Sequence, residues 1–315
     1  MRALVTGATG FVGGHLLDAL RREGAEVYGC CGPHESDERY ARVDLSDERT
    51  LQAALAAFRP DVVFHLAAQT FVPDAMRTPL ETYETNAMGT ARLAQAIRGC
   101  AAPPRLIFAS SAEVYGSRDA AEYPLRETLD LRPSNPYGAS KAAAEAILLG
   151  EARGYGLDVV IARAFNHIGP GQSERFAVAS FAGQLARIAA GAPPKMSVGR
   201  LDTARDFLDV RDVVAAYLAL ARRGERGEIY NVCSGKAVRI RDVLRELVTI
   251  ARVPVEIVED PARVRGVETP LSVGTAEKLR AATSWTAQIP LARSLRDLYD
   301  DARRQAGAGN RSETA

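Results

Sequence analysis

A tyrosine and a lysine four positions apart, Tyr137 and Lys141, could together move a proton. Residues i and i+4 share one face of a helix, so the ammonium would lie beside the phenol. A neighbouring cation stabilises phenolate, which would lower the pKa of Tyr137 from its usual value of about 10. Such a phenol can exchange a proton with a hydroxyl or carbonyl oxygen. The pair predicts acid–base catalysis, and the alternative is two solvated side chains on a helix surface.

Ser111 follows a strand predicted over residues 105–110. A serine at the carboxyl end of a parallel strand points into the crevice where doubly wound sheets bind ligands. We expect its hydroxyl to bind the reacting oxygen, and the alternative is a serine that caps a loop. Glu113, two residues later, is a candidate acid or base in the same segment.

Three glycines, Gly7, Gly10 and Gly13, follow the first predicted strand at G-x-x-G-x-x-G spacing and open a helix. Gly7 permits a tight turn, Gly10 lets backbone N–H groups approach a diphosphate, and Gly13 lets the helix pack on the strand. The diphosphate would lie at the helix N-terminus, which favours anions. This context predicts a dinucleotide-binding turn, and the alternative is a plain structural turn. The turn also contains Thr9, Phe11 and Val12.

The first two-thirds of the chain alternates strand and helix patterns around these residues. Strands that are apolar on both faces and separated by helices predict an α/β fold with a doubly wound parallel sheet, the Rossmann fold. The strands are predicted over residues 3–6, 26–30, 61–68, 105–110 and 157–165. The helices are predicted over residues 11–22, 50–58, 86–100 and 137–153.

The pattern weakens after residue 165, where residues 166–174 predict a long functional loop. We expect a dinucleotide-binding domain over residues 1–165 and a smaller α/β substrate-binding domain over residues 166–315. Within the second range, about residues 206–233 are expected to return to the dinucleotide-binding domain. Residues 307–315 are small and polar, which predicts a frayed end. The later elements are predicted over residues 177–191, 212–222, 228–232, 241–251 and 255–258.

Composition excludes several classes of protein. Of the 315 residues, 47% are hydrophobic and 25% charged, which is typical of a globular chain and not of a disordered one. The net charge of +1 leaves no basic excess, so we expect no nucleic-acid partner. The sequence shows neither a signal peptide nor an apolar run long enough to span a bilayer, which predicts a soluble cytoplasmic protein with no membrane partner. The four cysteines lack metal-ligand or disulfide spacing, so we expect buried thiols and no metal: Cys30, Cys31, Cys100 and Cys233.

The glycine spacing and the Y-x-x-x-K sequence together resemble the extended short-chain dehydrogenase/reductases, the NAD-dependent epimerase/dehydratase family. The resemblance implies that Ser111, Tyr137 and Lys141 are the catalytic triad. It also implies that Asp44 and Leu45 meet the adenine ring, whereas the alternative for Asp44 is a helix cap. We expect His65 to be a hydrogen-bonded core histidine. The segments implied to line the nicotinamide half contain Leu66, Ala67, Ala68 and Asn86.

The choice between NAD and NADP is open in the sequence. An acid after the second strand binds the ribose hydroxyls of NAD, and an arginine there binds the extra phosphate of NADP. Residues 28–34 contain neither, and Glu35 and Arg39 lie beyond a turn. The family resemblance slightly favours NADPH.

Segments after residue 165 resemble those of GDP-4-keto-6-deoxy-D-mannose reductases. The loop Phe-Asn-His-Ile-Gly-Pro-Gly-Gln-Ser begins at residue 165, Arg-Asp-Phe occupies 205–207, and Arg-Gly-Val-Glu-Thr-Pro occupies 265–270. The resemblance implies a GDP-sugar substrate whose C4 ketone is reduced by NAD(P)H to GDP-D-rhamnose or its C4 epimer. Bidentate arginines suit a diphosphate. The implied substrate residues are Ser111, Glu113, Asn166, Arg205, Arg265 and Glu268, with an ion pair to Asp206 or Asp209 as the alternative for Arg205.

Other functions on this fold use the same residues. A GDP-mannose 4,6-dehydratase would use Glu113 as a base, but Ala112 stands where dehydratases of this family have a polar residue. A nucleotide-sugar 4-epimerase would recycle bound NAD. A non-catalytic cofactor sensor is the fourth possibility, and the complete Ser-Tyr-Lys set argues against it.

Two alanine-rich helices predict a homodimer. Small side chains permit close helix packing, and the two corresponding helices form the dimer bundle in the family. The alternative is that these faces pack on the protein's own sheet. The alanines are Ala91, Ala94 and Ala96 in the first helix and Ala142, Ala143, Ala144 and Ala146 in the second.

Overall fold

A computed structural model describes residues 1–33, 35, 37–263 and 269–312. Its strands are β1 (Arg2–Thr6), β2 (Glu26–Cys31), β3 (Ala41–Arg42), β4 (Val62–His65), β5 (Arg105–Ser111), β6 (Val159–Ala164), β7 (Asn166–Ile168), β8 (Lys195–Val198), β9 (Ala204–Asp209), β10 (Ile229–Val232), β11 (Ala237–Arg239), β12 (Glu256–Glu259) and β13 (Leu271–Ser272). Its α-helices are α1 (Phe11–Arg22), α2 (Glu48–Phe58), α3 (Val72–Arg77), α4 (Pro79–Tyr83), α5 (Gly89–Arg98), α6 (Pro136–Tyr155), α7 (Ala177–Ala189), α8 (Val210–Arg223), α9 (Ile240–Ala251), α10 (Glu277–Thr283) and α11 (Leu291–Ser312).

The main sheet has the strand order β10-β6-β5-β4-β1-β2-β3, and every neighbouring pair is parallel. Alternate residues of one strand face opposite helix layers. Val5 packs in the cluster that holds Leu16 of α1 and Val213 of α8. Leu4 packs in the cluster that holds Leu51 of α2 and Leu148 of α6. The doubly wound α/β fold expected from the sequence is confirmed.

Smaller sheets are built from the later part of the chain. β9 pairs with β11, β13 and β7, and β12 pairs with β8. A separate apolar cluster joins α7, α9 and α11 to these strands. β10 is the exception, because it returns to the edge of the main sheet beside β6.

The observed elements differ from the expected ones in two places. The expected loop over 166–174 begins with a short strand, β7, because its backbone pairs with β9 from Asn166 to Ile168. Of the expected frayed end at 307–315, residues 307–312 continue α11, and residues 313–315 lie outside the described residues. Leu295, Leu298 and Tyr299 of α11 are buried at helical spacing, and this packing holds the helix in place.

Two further findings concern partners and cysteines. No described helix is long and apolar enough to cross a membrane. Cys30, Cys31 and Cys233 are buried and Cys100 is partly buried, all as free thiols. Burial raises the pKa of Cys30 to about 12, so this thiol is unreactive at neutral pH.

Candidate active site

A cleft of about 910 Å³ runs along the carboxyl ends of the main-sheet strands. In doubly wound sheets this edge is where ligands bind, because the strand order reverses there and the loops diverge. The glycine turn lines one part of the cleft, and Ser111, Tyr137 and Lys141 line another. Sequence-predicted residues that line it are Gly7, Thr9, Gly10, Phe11, Val12, Gly13, Asp44, Leu45, Leu66, Ala67, Ala68, Ser111, Glu113, Tyr137, Lys141 and Asn166.

The glycine turn leaves no room for side chains at two of its positions. A Cβ on Gly7 would lie 2.8 Å from the Ala67 nitrogen, and a φ of +70° also disfavours other residues there. A Cβ on Gly13 would lie 2.2 Å from the Gly7 carbonyl oxygen. Gly10 precedes α1 without a side-chain cap. The first N–H groups of α1 and its positive dipole end therefore suit an anion in the cleft.

Asp44 lies at the far end of the same cleft, just after β3. Its Oδ1 accepts hydrogen bonds from the backbone N–H of Ser46 at 2.8 Å and from the Ser46 hydroxyl at 2.7 Å. The helix-cap alternative for Asp44 is wrong, because Asp47 caps α2 by accepting from the Arg49 N–H at 2.9 Å. Asp44 and the adjacent Leu45 are therefore wall residues of the cleft.

Glu35 is a cleft residue to which the sequence assigned no role. Its carboxylate accepts a hydrogen bond from the hydroxyl of Thr9 in the glycine turn, 26 positions earlier. Arg39, the other charged residue after the turn, is paired instead with Asp37 through hydrogen bonds of 2.9 and 2.7 Å. Only the fold brings Glu35 to Thr9, so no local pattern could have identified it.

Asn135 organises the start of α6, where Tyr137 lies. Its Oδ1 accepts from the Gly138 N–H at 2.8 Å and caps the helix, and its Nδ2 donates to Glu113 Oε2 at 2.7 Å. Pro136 occupies the first helical position, where the N–H that proline lacks would have no hydrogen-bond partner within the helix. The cap thus fixes Glu113 and the helix that carries Tyr137 relative to one another.

Ser111 caps a loop, which is the alternative considered for it, and it also lines the cleft. Its Oγ accepts from the Glu113 N–H at 3.2 Å and caps the short 3₁₀ turn Ala112–Val114. Its side chain and the Tyr137 phenol both line the cleft, and the Ser111 hydroxyl acts to lower the pKa of that phenol. Ser111 and Tyr137 therefore converge on one point of the cleft, where an oxygen atom can be polarised and protonated.

The expected lowering of the Tyr137 pKa by Lys141 is wrong in this structure. Desolvation raises the pKa of Tyr137 to about 12, and the nearby Ser111 hydroxyl only partly offsets this rise. The Lys141 ammonium instead donates to the Ala109 carbonyl at 2.7 Å and lies 4.7 Å from the centre of the Phe108 ring. Desolvation lowers the pKa of Lys141 to about 7, against the attraction of Glu145.

A buried ion pair lies next to the candidate catalytic residues, and sequence reasoning missed it. Glu145, one helical turn after Lys141, pairs with Arg163 of β6 at 2.6 Å, with 1% and 3% of the two side chains exposed. Glu145 also accepts from the hydroxyl of Ser110, which precedes Ser111. A charged residue inside the apolar strand at 159–164 was the available signal, since such a residue needs a partner.

Asn86 lies behind the cleft wall rather than in its lining. Its side chain is 1% exposed and bonds the Gln69 backbone at 2.8 and 2.9 Å and Ser140 Oγ at 2.9 Å. It therefore positions the loop after β4 against α6. His65 is a core histidine as expected, held by Thr6 at 2.8 Å and Thr90 at 2.9 Å.

The segment 166–174 contributes Asn166, His167 and Gln172 to the lining of the cleft. Asn166 is exposed at its edge, and the ring of His167 stacks on Phe11 of α1 with centroids 6.0 Å apart. The His15 ring bonds the Pro170 carbonyl at 2.8 Å. These contacts fix the segment on the N-terminal half of α1, next to the glycine turn.

The expected substrate residues beyond β8 are not part of the described cleft lining. Arg205 lies outside the described cleft lining, and its guanidinium donates to the Ala204 carbonyl at 2.9 Å. The ion-pair alternative also fails in the described contacts: Asp206 accepts from Ser234 and Gly235, and Asp209 pairs with Arg211. Arg265 and Glu268 lie outside the described residues.

Comparison with known proteins decides the family. The sequence profile described as GDP-mannose 4,6 dehydratase matches residues 4–298. The chain belongs to the GDP-mannose 4,6 dehydratase family. Within this family, the GDP-6-deoxy-D-mannose reductase of Pseudomonas aeruginosa is 42% identical over 301 residues, which cover 95% of this chain and 96% of the relative. The expected resemblance is confirmed.

Solved structures of related enzymes share the fold of this family member. RMD from Pseudomonas aeruginosa in complex with NADPH superposes with a TM-score of 0.86 at 40% identity, covering 96% of this chain and 99% of that one. The UDP-glucose 4-epimerase of Thermus thermophilus in complex with NAD also gives 0.86, at 31% identity, over 96% of this chain and 99% of that one.

Proposed function

We propose that this protein reduces the C4 ketone of GDP-4-keto-6-deoxy-D-mannose with NAD(P)H, giving GDP-D-rhamnose or its C4 epimer. The observation that carries the proposal is that Ser111, Tyr137 and Lys141 line the same cleft as the glycine turn. The Pseudomonas reductase, which the chain matches over almost its whole length, supports the choice of substrate.

The residues present fit a nicotinamide dinucleotide. The glycine turn is a cradle that a Cβ at Gly7 or Gly13 would fill, and it opens on the N-terminus of α1. Gly10, Phe11 and Val12 would hold the diphosphate, Asp44 and Leu45 the adenosine end, and Leu66, Ala67 and Ala68 the nicotinamide half. When bound, the reduced coenzyme supplies a hydride. Relatives with NADPH and with NAD make both coenzymes candidates.

The chain's own residues supply the proton and the electrostatic stabilisation. With a pKa of about 12, Tyr137 is a neutral phenol at physiological pH, so it can donate its proton to the C4 oxygen as negative charge develops there. The Ser111 hydroxyl donates a hydrogen bond to the same oxygen. The Lys141 ammonium, anchored on Ala109, adds positive charge at this end of the cleft and is the proposed ribose contact.

The nucleotide sugar would enter from the side of segment 166–174. Asn166 at the cleft edge is the proposed contact of the sugar or diphosphate. Asn166 is the first residue of β7, and in the pairing of β7 with β9 it lies opposite Phe207. Arg205 is two residues before Phe207 on β9. We keep Arg205, Arg265 and Glu268 as proposed contacts of the guanosine diphosphate. In this arrangement residues 1–165 and about 206–233 form the dinucleotide-binding domain, and the other residues of 166–315 form the nucleotide-sugar-binding domain.

We also propose a cytoplasmic homodimer that pairs α5 and α6. Ala94, Ala96 and Ala144 pack in the chain's own core, so they are unavailable for a dimer face. Ala143 and Ala146 are exposed on α6 and are the proposed centre of the contact. Light scattering at micromolar concentration tests this arrangement, and a monomer would contradict it.

Consumption of the coenzyme tests the reductase against the other reactions. Purified protein is mixed with GDP-4-keto-6-deoxy-D-mannose, and loss of NADH and of NADPH is followed in parallel. One coenzyme oxidised per sugar reduced is expected, and Tyr137→Phe should lower kcat by about 10²–10⁴-fold. A dehydratase or an epimerase would recycle its coenzyme, so no net oxidation with either coenzyme would overturn the proposal.

Glu113 separates the reductase from the dehydratase. Its carboxylate binds the Asn135 side chain that caps α6, which is a structural role. Glu113→Gln can still accept this hydrogen bond, so a reductase should retain most of its kcat. If the protein were a dehydratase with Glu113 as its base, the same variant would lose turnover of GDP-mannose.

A further inference from the structure

Glu35 holds a carboxylate beside the glycine turn. The turn lies next to the end of β2, since the Ala8 N–H donates to the Cys30 carbonyl at 3.0 Å. Glu35 follows β2, lines the cleft, and accepts a hydrogen bond from Thr9 inside the turn. The cleft therefore has a negative charge at the place where an acid or an arginine selects between coenzymes.

Arg39, the arginine of the loop that carries Glu35, is paired elsewhere, and Arg42 of β3, the register partner of Cys31, lies outside the described cleft lining. Arg39 is bound to Asp37 by two hydrogen bonds, and neither residue is part of the described cleft lining. Among the cleft-lining residues that the structure describes, Lys141 is the only lysine or arginine. It is anchored on Ala109 of β5, beside Tyr137 and not beside Glu35.

We infer that Glu35 is a specificity-determining residue that makes this protein favour NADH over NADPH. The inference rests on the proposed function, because it names the coenzyme of that reductase site. The 2′-hydroxyl of NADH can donate a hydrogen bond to a carboxylate, and charge-assisted bonds of this kind are strong. The 2′-phosphate of NADPH carries nearly two negative charges and would be repelled.

The expected size of the effect is moderate. Glu35 is an exposed side chain, so water and salt screen its charge. A repulsion of this kind near the surface corresponds to roughly a tenfold difference in dissociation constant. The Thr9 hydroxyl restrains the carboxylate, so the charge stays close to the turn instead of moving into solvent.

Coenzyme binding without any sugar tests the inference. Dissociation constants of NADH and NADPH are measured by nicotinamide fluorescence and by calorimetry for the wild-type protein, Glu35→Gln and Glu38→Gln. Glu38 is an exposed carboxylate in the same loop but outside the cleft lining, so it is the matched control. We expect the wild type to bind NADH about tenfold more tightly than NADPH. Glu35→Gln should reduce this ratio severalfold, chiefly by tightening NADPH, while Glu38→Gln leaves it unchanged.

The outcomes separate this inference from the proposed reaction. Tighter binding of NADPH by the wild type, or an unchanged ratio in Glu35→Gln, overturns the role of Glu35 and leaves the reductase intact. Failure to bind either coenzyme overturns both. A Glu35-dependent preference for NADH in a protein that does not reduce the keto sugar supports the inference and rejects the reductase.

Discussion

The ammonium of Lys141 donates to the backbone carbonyl of Ala109 at a distance of 2.7 Å. This bond joins α6, which carries the proposed proton donor, to the end of β5, which carries Ser111. Lys141 is also buried, with 2% of its surface exposed. The lysine is therefore both a structural link and a charged group held under strong desolvation.

The lowered pKa of Lys141 predicts a pH dependence. The ammonium is present below a pKa of about 7 and is lost above it. If the reaction needs this charge, kcat/KM should fall about tenfold per pH unit above pH 7. Lys141→Arg keeps its charge at all these pH values, so its profile should lack this falling limb. A wild-type profile that is flat between about pH 6 and 9 would contradict the prediction.

Two neighbouring glycines should respond in opposite ways to alanine. Gly13→Ala places a Cβ 2.2 Å from the Gly7 carbonyl oxygen, whereas a Cβ on Gly14 meets nothing within 4 Å. We expect Gly13→Ala to lower the free energy of unfolding by about 1–3 kcal/mol or more and to weaken coenzyme binding. Gly14→Ala should raise the free energy of unfolding by up to about 1 kcal/mol, because alanine favours the helical conformation. Urea unfolding measures the stability of each variant, and coenzyme titration measures its binding. Equal effects at the two positions would contradict the close contact between a Gly13 Cβ and the Gly7 carbonyl.

The buried pair of Glu145 and Arg163 should matter far more for stability than an exposed pair. Glu145→Gln leaves Arg163 without its counterion and should cost about 3–5 kcal/mol of unfolding free energy. The control is Glu277→Gln, which removes an ion pair with Arg126 whose side chains are 61% and 55% exposed. That change should cost less than about 1 kcal/mol. Chemical denaturation measures the unfolding free energy of both variants. Similar losses of unfolding free energy in the two would show that the buried pair contributes little.

His65 should make the fold sensitive to acid. Burial lowers its pKa to about 3 in the folded protein, whereas an unfolded histidine titrates near pH 6.5. Between these values the unfolded state binds more protons, so stability falls as the pH is lowered from about 6.5 towards 3. The slope from this group is about 1.4 kcal/mol per pH unit. His65→Asn should reduce the slope of unfolding free energy against pH by this amount, and an unchanged slope would be evidence against it.

Local patterns in the sequence predicted the parts of the site that lie close together along the chain. The glycine turn and the Tyr137–Lys141 spacing are of this kind, since a turn and one helical turn fix their geometry. The pKa of Tyr137 could not be predicted in this way, because it follows from how the fold desolvates the phenol. The Thr9–Glu35 contact and the Glu145–Arg163 pair join residues 26 and 18 positions apart. Such pairs depend on which elements meet, and no spacing rule encodes that.

The return of β10 to the main sheet has a consequence for synthesis of the protein. The strand beside β6 comes from residues 229–232, so the edge of β6 stays uncovered until this segment has left the ribosome. At ordinary translation rates the intervening residues 165–228 take on the order of 3–13 s to make. During that time β6 has an unpaired edge that could capture another strand. A nascent chain stalled before residue 229 should therefore be a better chaperone client than one stalled after residue 232.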